Sequence, residues 1–146
     1  MKVKDCMSYD VCYCSSNDSV SKAAKLMCEN HVGCIPVCDD KQCVVGVLTD
    51  RDIILRSIAC DKDVKQTPVT DIMTGSVCCC DTETDVDEAT QMMSDLQIRR
   101  LPVLKNNKIV GILTLGDLAE SQNVSSKQVA DTVECICNKQ NAKNAE

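Results

Sequence analysis

The chain has 146 residues, a formal net charge of −6, 44% hydrophobic residues, no Trp or Phe, and only Tyr9 and Tyr13 as aromatics. The acidic excess excludes a nucleic-acid partner held by phosphate attraction, and the missing aromatics exclude base stacking along a single strand. No apolar run is long enough to span a membrane, and Met1-Lys2-Val3-Lys4-Asp5 lacks the apolar core of a secretory signal, so a cytoplasmic location with no membrane partner is expected.

Taken in order, the elements occur twice. Val11-Cys12-Tyr13-Cys14 is a short β-like run. Ser19 is placed to cap a helix whose apolar positions Val20, Ala23, Ala24 and Met27 follow a 3–4 spacing. Ile35–Cys38 and Val44–Leu48 read as strands around a polar turn, with Pro36 restricting the first to an edge or to its opening residues. A helix is predicted from about Asp50 to Ala59, followed by a charged linker over residues 60–68. The same grammar returns as a strand at Val77–Cys80, a helix from Asp85 to Leu96, strands at Leu101–Leu104 and Ile109–Leu113, and a short helix from Leu115. Ser125-Ser126 then precede a narrow apolar stripe of Val129, Val133 and Ile136, expected to pack on the module or on a second subunit. The tail from Asn138 to Glu146 is polar and expected to be loose.

The duplication can be measured. At an offset of 66, Val3, Asp5 and Met7 fall on Val69, Asp71 and Met73, and Pro36-Val37 on Pro102-Val103. One residue is then lost in a polar turn, and at 65 Val45-Gly46, Leu48-Thr49 and Asp52 fall on Val110-Gly111, Leu113-Thr114 and Asp117. Such ordered self-similarity marks a repeat architecture. The expected class is α/β, with a first domain at 1–66, a second at 67–123, and a C-terminal helix and tail at 124–146.

Gly46-Val47-Leu48-Thr49-Asp50-Arg51-Asp52 and Gly111-Ile112-Leu113-Thr114-Leu115-Gly116-Asp117 resemble the signature ends of CBS (cystathionine-β-synthase-type) domains. Asp5-Cys6-Met7, Asp71-Ile72-Met73, Ile35-Pro36-Val37 and Leu101-Pro102-Val103 resemble the rest of that pattern, over about residues 3 to 121. With no catalytic domain attached, the chain resembles a stand-alone bacterial or archaeal CBS pair, or Bateman module. The resemblance implies two β-α-β-β-α repeats packed with pseudo-twofold symmetry. It further implies clefts between them for AMP, ADP, ATP or another adenosyl ligand, a homodimer, and an unidentified effector protein.

A carboxylate fixed at a strand-to-helix junction can accept both ribose hydroxyls in charge-assisted bonds. Asp52 and Asp117 stand there, with Thr49 and Thr114 three residues earlier and Ile112 on the second strand. The alternative reading is that Thr-x-x-Asp only caps each helix. No basic residue lies between Lys65 and Arg99; then Arg99-Arg100 arrive together. Arg suits phosphate through its planar fork, and the resemblance places this pair at the Asp117 cleft. The alternative is a solvated pair balancing Asp87, Glu88 and Asp95. The first copy has Gly33-Cys34 instead, and its cation is Arg51. The Asp117 cleft is therefore expected to bind more tightly. His31 reads as a helix-end residue. The resemblance lines the Asp117 cleft with Val11, Cys12, Cys14, Val32 and Cys34, and the Asp52 cleft with Val77, Cys78, Cys80 and Ile98.

Thirteen cysteines come near a disulfide-scaffold composition, yet a chain without an export signal does not fit that class. Most read as small core hydrophobes. On a strand Cys78 and Cys80 would point one way and Cys79 the other; Cys135 and Cys137 do not share a helix face; no C-x₂-C zinc spacing is present. A cysteine-based metal or redox sensor is the alternative function, and a purely structural dimer the third. An enzyme is not expected, since no nucleophile–His pairing or phosphate loop is visible, and no cofactor is required beyond the regulatory ligand.

Overall fold

The computed structural model describes residues 1–138; the expected loose tail lies, from 139 onward, outside the described residues. A 3₁₀ turn, Val3–Asp5, leads to β1 (Cys14–Ser15), α1 (Val20–Asn30), β2 (Cys34–Cys38), β3 (Val44–Thr49) and α2 (Asp50–Ile53). A second 3₁₀ turn, Val69–Asp71, leads to β4 (Cys80–Asp81), α3 (Val86–Leu96), β5 (Arg100–Lys105), β6 (Lys108–Thr114), α4 (Leu115–Glu120) and α5 (Ser126–Cys137). The fold is mixed α/β, with one three-stranded sheet ordered β1-β2-β3 and another ordered β4-β5-β6.

Local chemistry explains the helices. Ser19 accepts a bond from the Lys22 amide at 3.2 Å, and α1 buries Val20, Ala23 and Met27. In α3 the matching face is Val86, Ala89, Thr90 and Met93. Both helices stop on a left-handed residue, His31 and Gln97, each with φ 54°. The predicted helix to Ala59 departs from the α form. After Ile53 it continues as a π turn over Ile54–Ile58, where the Ala59 amide reaches the Ile54 carbonyl, and the buried Ser57 hydroxyl donates to the Ile53 carbonyl.

The first strands are shorter and later than predicted. β1 pairs in parallel with β2 only at Cys14↔Val37 and Ser15↔Cys38, and β4 with β5 only at Cys80↔Val103 and Asp81↔Leu104. Proline explains the limit. Val47 exchanges both its backbone bonds with Thr74, so its partner Pro36 turns its own bonding edge toward β1. With no N–H there, the ladder cannot run back to Cys12. Pro36 thus sits within a central strand rather than at an edge, at the point where β1 has ended.

The compact units do not follow the order of the repeats. Among the described residues, one comprises 1–11, 79–105 and 110–138; the other comprises 12–78 and 106–109. In the first unit, the leading segment bonds to the second repeat through Val3 N–H to the Thr84 carbonyl, Lys4 N–H to the Thr82 carbonyl, and a two-way pairing of Ser8 with Ile112 at 3.0 Å. In the second unit, Thr74 pairs two-way with Val47. The expected linker is packed structure there: the Val20 amide donates to Thr67, Ser21 to Val64, and Val69 to Asp18.

Each unit has its own aliphatic core. Val3, Met7, Cys80, Val86, Ala89, Met93, Leu101, Val103, Leu113, Leu118 and Val124 form one. The other holds Cys14, Val20, Ala23, Met27, Ile35, Val37, Leu48, Ile53, Val69 and Ile72. α5 packs on the first core through Val129 and Ile136. Of its expected stripe, Val133 stays exposed and Thr132 is buried instead, its hydroxyl satisfied by the Gln128 carbonyl at 2.8 Å.

Candidate functional site

The repeated Thr-x-x-Asp segments form reciprocal caps at strand-to-helix junctions. At the β6–α4 junction the Asp117 amide donates to Thr114 Oγ1 at 3.1 Å. Asp117 Oδ2 accepts from the Thr114 amide at 2.7 Å and from the Thr114 hydroxyl at 2.8 Å. The remaining oxygen, Oδ1, accepts from the Ser8 hydroxyl at 2.7 Å. At the β3–α2 junction Thr49 Oγ1 accepts from the Asp52 amide, and Asp52 Oδ2 from the Thr49 amide, both at 3.0 Å. There the second oxygen faces a cation, Arg56 Nε, at 3.7 Å, and Arg56 also donates to the Ile72 carbonyl at 3.2 Å.

Ser8 and Arg56 are the residues that sequence reasoning passed over. Each left a signal. Ser8 falls on Thr74 at the repeat offset, a hydroxyl after Met in both copies. Arg56 lies four residues after Asp52, on the same helix face.

The two strand entries share a backbone bond but differ in side chain. The Gly33 carbonyl accepts from the Asp50 amide at 2.9 Å, and the Arg99 carbonyl from the Leu115 amide at 3.3 Å. A Cβ at position 33 would stand 2.8 Å from an Asp50 carboxylate oxygen, the movable end of an exposed side chain, and this entry carries glycine where the other carries arginine. Arg99 and Arg100 are exposed, and neither forms an ion pair among the described residues. Arg99 Nη2 lies 4.0 Å from Cys137 Sγ. Arg51 is also exposed at the start of α2.

Thr114, Asp117, Arg99, Arg100, Ile112, Ile98, Cys80 and Val11 share one unit, and Thr49, Asp52, Arg51, Cys12, Cys14, Val32, Cys34, Val77 and Cys78 the other. Cys14 and Cys80 have their side chains in the cores, which leaves only their backbone to meet a ligand. A polar recess of about 300 Å³ beside Asp117 is lined by Asp5, Cys6, Glu120, Ser121, Gln122 and Asn123. Its carboxylates would repel a phosphate. Burial, then Asp117 and Asp5, push the Cys6 thiol up.

The cysteines form no disulfide among the described residues, and no three His, Cys, Asp or Glu side chains there gather as metal ligands. Burial, with smaller contributions from Asp18, Cys38 and Cys12, pushes the Cys14 thiol up to about 12. Burial, then Cys79, Asp81 and Cys6, does the same for Cys80, also to about 12. Thiolate is the reactive and metal-binding form, so these two thiols are inert near neutrality. The expected alternation of Cys78 and Cys80 does not occur: β4 begins at Cys80, which is buried while Cys78 is exposed.

Comparison with known proteins gives the context. The CBS domain family matches at residues 3–58 and 69–123. The protein YlbB of Bacillus subtilis is 43% identical over 127 residues, covering 86% of this chain and 85% of its own length. Among solved structures, the CBS domain pair of protein MJ0100, in complex with 5′-methylthioadenosine and S-adenosyl-L-methionine, superposes with a TM-score of 0.70. It is 29% identical and covers 82% of this chain and 97% of its own. Hypoxic Response Protein I, with two coordinated zinc ions, gives a TM-score of 0.75 at 28% identity, covering 82% and 97%.

Proposed function

The chain belongs to the CBS domain family, and from that premise we propose that it is a regulatory sensor of an adenosyl ligand. Asp117 accepts the ribose hydroxyls, Thr114 holds that carboxylate, and Arg99 and Arg100 take the ligand's anionic end. The observation that carries this reading is the state of Asp117. Its Oδ1 is engaged by one neutral hydroxyl and by no cation among the described residues, and a carboxylate oxygen has a second lone-pair site. A diol there would gain charge-assisted bonds. The backbone that carries the two exposed arginines starts beside the same junction, since the Arg99 carbonyl is bonded to the Leu115 amide. The adenosyl ligands of the MJ0100 pair support this chemical class.

Asp52 is the weaker acceptor in this scheme, because Arg56 already faces its second oxygen, which leaves Arg51 alone to meet the anionic end. The module works as a homodimer that passes occupancy to an effector protein. AMP, ADP, ATP and S-adenosyl-L-methionine titrated calorimetrically into the whole chain test the reading. Saturable binding of at least one, lost on Asp117→Asn, is expected. No heat with any of the four overturns it.

A further inference from the structure

We propose that Ser8 is a positioning residue of the ribose site, contributed by the leading segment of the chain. The inference rests on the reading of Asp117 as the ribose acceptor and adds to it. Ser8 lies 109 positions before Asp117 in sequence, yet its hydroxyl donates to Oδ1 at 2.7 Å. The placement is over-determined. The Ser8 amide and carbonyl both pair with Ile112 at 3.0 Å, the residue two positions before Thr114. Met7 is buried in the same core. A Cβ on Gly111 would come within 2.6 Å of the Ser8 carbonyl oxygen and 3.0 Å of Met7 Cε, so the segment seats closely because position 111 is glycine.

The consequence follows from counting donors. Thr114 supplies two bonds to Oδ2 and leaves Oδ1 free to rotate about that anchor. The Ser8 proton fixes Oδ1 and leaves one acceptor site on that oxygen for a ligand hydroxyl. The Ser8 oxygen keeps its own lone pairs and offers a second acceptor to the neighbouring hydroxyl of a vicinal diol. Ser8 and Asp117 together therefore select a ribose with both hydroxyls present. Their counterparts in the other unit differ, since Asp52 Oδ1 is turned to a guanidinium instead.

The test uses the whole chain with two probes, AMP and its 2′,3′-dideoxy analogue, titrated calorimetrically into the wild type, Ser8→Ala, Ser8→Thr and Asp117→Asn. Ser8→Ala is expected to weaken AMP about tenfold, as loss of a bond to a charged group implies, and to leave the dideoxy analogue nearly unchanged. Ser8→Thr restores AMP binding. The ratio of the two affinities is read within each variant, so a partly unfolded preparation does not disturb it. An unchanged ratio in Ser8→Ala, with Asp117→Asn still abolishing AMP binding, overturns the role of Ser8 and leaves the ribose site standing. Equal weakening of both probes marks Ser8 as structural only and also overturns it. No AMP binding to the wild type overturns this inference, and full AMP binding to Asp117→Asn overturns the ribose site and this inference with it.

Discussion

At the scale of single residues, charge and burial set the expected behaviour. Replacing Arg99 and Arg100 together with Ala should weaken AMP at least tenfold, given about 1.5–3 kcal/mol for each bond to a charged group, while adenosine, which has no phosphate, should bind as before. Calorimetric titration of both ligands checks this, and equal losses would remove the two arginines from the anion site. The buried thiols make a different prediction. In the unfolded chain a cysteine releases its proton near its ordinary value of 9.0, whereas folded Cys14 and Cys80 hold theirs to about 12. Between those values the unfolded state binds fewer protons, so stability must fall as pH rises. Their contribution is complete below pH 9 and is lost on the way to 12. The urea midpoint should therefore drop between about pH 8 and about pH 10.5, and drop less in a variant with both cysteines changed to Val. An equal drop in the variant would assign the loss to other groups.

At the scale of elements, the docking of the leading segment is the feature most open to attack. Gly111→Ala places a methyl against the Ser8 carbonyl, and overpacking of this kind costs about 1–3 kcal/mol. The melting temperature should fall, and exchange of the Ile112 amide, which is bonded to Ser8, should accelerate. The cap of α4 is a second handle. Thr114→Val removes the acceptor for the Asp117 amide, with a loss of about 1 kcal/mol that urea unfolding would measure. Asp117 should also lose its ribose affinity in that variant, because its Oδ2 would keep only the backbone bond.

At the scale of the whole molecule, one face stands out. Ile54, Leu55 and Ile58 are 55%, 47% and 58% exposed on and around the π turn, beside an apolar groove of about 300 Å³ lined by Val20, Ala24, Ile53 and Val64 among others. Contiguous exposed apolar residues mark contact surfaces. In the proposed homodimer this face is covered by the second copy. Sedimentation should show a dimer for the wild type and a monomer for Ile54→Lys with Ile58→Lys, with the circular dichroism spectrum unchanged. A wild-type monomer at high concentration would remove this face from the proposal. No helix among the described residues is long and apolar enough to cross a membrane, so the patch does not belong to a membrane-spanning helix.

The amino-acid sequence alone determined the duplication, the order of strands and helices, and the caps at Thr49 and Thr114, because each depends on residues a few positions apart. Periodicity and an i to i+3 hydrogen bond need no knowledge of the rest of the chain. The tertiary structure decided which repeat each leading segment joins. Val3 and Met7, like Val69 and Ile72, carry apolar groups that would suit either core, and only the pairing partners at Ile112 and Val47 select one. The same choice brings Ser8 to Asp117, ends β1 where Pro36 withholds a donor, and packs Val64 and Val69 against a core. Such outcomes depend on hydrogen bonds and buried surface shared between distant segments, and no local pattern encodes them.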